Sequence, residues 1–71
     1  MHEPFPPQEA HIVTVTLILP AHQALALAQY VTRAGFDDYL LHARDRREAL
    51  QMHAAGQTLR VELARAGYAL R

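Results

Sequence analysis

Cysteine is absent from the 71 residues, and so are lysine, serine, asparagine and tryptophan. Without cysteine there is no disulfide framework and no thiolate metal site. No serine, cysteine or lysine nucleophile exists. Net charge is missing too, because seven arginines balance seven acids. The basic excess of a dedicated nucleic-acid binder is therefore lacking in the total. The apolar run 12–19 is far shorter than the roughly 20 residues a membrane-spanning helix needs. Residues 1–10, MHEPFPPQEA, offer acids and prolines in place of a basic start and an apolar stretch, so no leader peptide is expected. These features predict a cytoplasmic protein with no membrane contact.

What is present is apolar. Hydrophobic residues make up 51% of the chain, which is rich for one with so little interior. Chains of this size are marginal without a staple or a partner. The excess predicts a second buried surface, supplied by another chain.

Pro4, Pro6 and Pro7 mark residues 1–10 as a flexible arm, and residues 11–71 as one small domain. Residues 11–19, HIVTVTLIL, are dominated by β-branched side chains in alternation. Val13, Val15, Leu17 and Leu19 fall on one face, and Thr14, Thr16 and Ile18 on the other. This predicts a half-buried β-strand. Pro20 stops it and suits the first turn of a helix over 21–34. Ala24, Leu27, Ala28, Val31 and Ala34 form the inner stripe there. Gly35 fits a left-handed closing position, with Phe36 packing back on Val31. Asp37 is then placed to cap a short helix over 37–43. Asp45 and Glu48 have the spacing of a capping box for a long helix over 46–66. Its inner stripe is Met52, Ala55, Gly56, Leu59, Leu63 and Ala66. Gly67 closes it, and Tyr68 folds back on Leu63. A break near Arg44–Arg47 is favoured over one continuous helix.

No second alternating segment exists to pair with 11–19, and a strand needs ladder partners. The expected fold is therefore α+β. One N-terminal β-strand is followed by three helices (β-α-α-α), and the strand pairs with a second copy in a homodimer. Val13, Val15, Leu17 and Leu19 are the expected dimer interface.

Two resemblances bear on this reading. VTLILP followed by AHQALALAQYVTRAG and Gly35-Phe36-Asp37 resembles the ribbon-helix-helix DNA-binding dimers over residues 13–37. That likeness implies a strand ribbon whose outward residues Thr14, Thr16 and Ile18 meet DNA, and a transcriptional regulator. The chain is also similar to a group of small uncharacterised proteobacterial proteins of plasmids and integrated elements. Gly35-Phe36-x-Asp38-Tyr39, Glu48-Ala49, Leu63-Ala64 and Gly67-Tyr68-Ala69 carry that likeness. It implies no known activity.

Candidate sites are few. No pair among His2, His11, His22, His42 and His53 has the three- or four-residue spacing of a helical metal site, so no metal or other cofactor is expected. Asp37 and Asp38 read as helix-start residues rather than an acid pair. Arg44, Arg46 and Arg47 are the one cationic cluster, able to meet phosphate or an acidic protein surface, but diluted by Asp45 and Glu48. Tyr30 lies off the inner stripe and suits an interface. With Thr14 and Thr16, these are the possible partner or nucleic-acid contacts. The expected function is a non-enzymatic interaction or regulatory protein. It acts as a homodimer and binds another protein, with DNA binding as the alternative.

Overall fold

In the computed structural model, residues 11–69 can be described. The flexible arm expected over 1–10 lies outside them, as do Leu70 and Arg71. Three helices follow in order: α1 over Ala21–Arg33, α2 over Phe36–His42 and α3 over Arg46–Arg65.

The longest helix starts where its chemistry directs. The Asp45 carboxylate accepts from the Glu48 backbone N–H at 2.9 Å, which satisfies one of the orphan donors of the first turn. The reciprocal half of the expected capping box is displaced by one residue. Glu48 accepts from the backbone N–H of Arg44 at 2.6 Å, and from Arg44 Nε at 3.3 Å. The far end of α3 is a Schellman ending. Tyr68 N–H donates to the Leu63 carbonyl at 2.9 Å, and Gly67 N–H to the Ala64 carbonyl at 3.0 Å. Gly67 has φ +106°, the left-handed region that glycine enters without a Cβ penalty. Tyr68 packs against the cluster containing Leu63.

The break between α2 and α3 is real, because Ala43 leaves the helix at φ −90°, ψ 152°. Helix α2 begins earlier than expected. Gly35 is extended, at φ −98° and ψ 179°, not left-handed. It precedes the first turn, and its N–H donates to the Asp38 carboxylate at 2.8 Å. Asp38, not Asp37, thus tends this helix start.

Helices α1 and α2 both pack on α3. Ala28 and Val31 of α1 meet Leu63 of α3, with Ala24, Leu27, Leu59 and Tyr68 partly buried around them. Ala49 is fully buried, a position the expected stripe omitted. Ala55 and Ala66, which the stripe included, are exposed.

The expected α+β fold is overturned. Among the described residues there is no β-strand, and residues 11–20 form no regular element. Alternation and β-branching describe a surface that suits a sheet. A strand exists only when its donors and acceptors meet a ladder, and the described chain holds no second extended segment. Pro20, at φ −57° and ψ 150°, precedes α1, and its carbonyl accepts from Gln23 and Ala24. The residue before a proline is itself held extended, so 11–19 leads into α1 as irregular, exposed chain.

Asp45→Ala should remove the cap of α3 and lower stability by about 1 kcal/mol. For a domain of this size that is a fall in Tm of roughly 4–8 °C, measurable by circular dichroism. An unchanged Tm would show that α3 is held by packing alone.

Candidate functional site

Among the described residues, the one large side chain whose hydroxyl is enclosed without a protein hydrogen bond is Tyr39. It reaches from α2 to the middle of α3, and Gly56 is what lets it in. A Cβ at position 56 would collide with the Tyr39 hydroxyl and lie 3.1 Å from Cζ. The ring also meets His53 edge-on, with centroids 5.7 Å apart and planes at 68°, a favoured aromatic arrangement. Burial pushes the Tyr39 hydroxyl above its ordinary value of 10.0, and Tyr30 and Asp38 push the same way. It is a neutral phenol at neutral pH.

Beside Tyr39 opens a trough of about 460 Å³. Leu27, Tyr30 and Val31 line it from α1, Tyr39 and His42 from α2, and Met52, Ala55, Gly56 and Leu59 from α3. No carboxylate or guanidinium of the described residues lines it. Its size falls in the range of about 300–1,000 Å³ that accommodates ligands or side chains, and its wall is almost wholly apolar. Tyr30 stands at the rim and also borders a more polar depression beside Gln29, Arg33 and Asp38.

The remaining expected contacts are spread apart. Val13 is 75% exposed, Val15 73% and Leu17 52%. Leu19 is half-buried, and Thr14 and Thr16 are exposed. Arg44, Arg46 and Arg47 sit where α2 gives way to α3. Arg44 pairs with Glu48 at 3.3 Å. Arg46 lies over the Phe36 ring, 5.1 Å from its centroid, a cation–π contact that holds α3 to α2. Arg47 is exposed. The ribbon that would have carried Thr14 and Thr16 into a DNA groove does not exist among the described residues. Nor do any three His, Asp or Glu side chains among them converge as a metal site.

The trough itself was not foreseen. Glycine inside a helical pattern is a visible signal that another group approaches closely. The approaching group is an aromatic ring of α2, not a helix backbone, and no spacing rule links positions 39 and 56.

What these features define is a small chain whose described residues form three helices with an open apolar face between them. The chain belongs to a family of unknown function, DUF7706, whose model matches residues 1–71. No curated protein and no solved structure matches it.

Alanine in place of glycine strengthens a helix by about 1 kcal/mol on propensity alone. Gly56→Ala should nonetheless lower Tm, because the Tyr39 ring must move. On a Tyr39→Phe background, which removes the colliding oxygen but leaves Cζ 3.1 Å from the new Cβ, the same change should lower Tm less. Thermal unfolding of the four chains measures this, and a gain from Gly56→Ala beside intact Tyr39 refutes the collision. Tyr39→Phe alone should be neutral or stabilising, since it removes a buried hydroxyl with no partner. The folded chain also holds the Tyr39 proton longer than the unfolded chain does. Stability therefore falls as pH rises past about 10, and Tyr39→Phe should make that fall shallower.

Proposed function

We propose that this is a non-enzymatic interaction protein that acts as a homodimer and binds another protein in a regulatory role. The observation that carries this reading is the unfinished interior. The buried hydrophobic residues are Ala28, Val31, Ala34, Ala49 and Leu63, and among the described residues no large side chain is fully enclosed. Meanwhile Ile12, Ile18 and Leu41 are 85%, 93% and 81% exposed. Isolated exposed apolar residues are ordinary, but the trough between the three helices has a continuous apolar lining, and such a surface on a small protein marks an interaction site.

Among the described residues, no helix is long and apolar enough to cross a membrane. The likeness to proteins of plasmids and integrated elements supports a partner encoded by such an element, and a cytoplasmic setting.

Sedimentation equilibrium over a wide concentration range tests the homodimer. The expected result is a dimer whose helical circular dichroism falls as it dissociates on dilution. A monomer that stays folded at every concentration overturns the reading.

A further inference from the structure

We draw no further inference here: the strongest candidate, the apolar trough beside Tyr39 between α1, α2 and α3, is an unpartnered face, and nothing in the structure shows what covers it.

Discussion

Both short helices are seated on α3. Everything else follows from that dependence. Helix α1 lies on the C-terminal half of α3, where Val31 meets Leu63. Helix α2 lies toward the N-terminal half, where Tyr39 meets His53. Two helices seated side by side on one platform leave a gap between them. The trough is that gap, and its apolar lining is the part of three amphipathic stripes that no neighbour covers. A helix pattern specifies which residues want to be buried, but not how many neighbours will arrive to bury them.

Much of the helical layout was legible in the residues. Asp45 and Glu48 announced the start of α3, and Gly67-Tyr68 its end. In both cases the signal is local: a side chain or a glycine satisfies backbone groups three to five positions away. Ala28 and Val31 were legible because helical periodicity places them on one line. Gly35 was misread for a reason that is also local. A glycine after one helix and before another can close the first or open the second, and here the Asp38 carboxylate claims its N–H.

The strand was misread because its evidence is not local. Residues 11–19 have the side chains of a strand, and the helices take up every other long segment of the described chain. A ladder is a property of two segments, so one alternating segment cannot specify it. The trough escaped notice for the same kind of reason. It depends on the distance between Tyr39 and Gly56, which lie on different helices. Spacing along the chain does not record contacts of that kind.

Gly56 has one further consequence. It sits between the two halves of α3 that carry α2 and α1, and its missing side chain is the seat of the Tyr39 ring. One absent methyl group therefore sets how closely α2 approaches the helix on which α1 also rests.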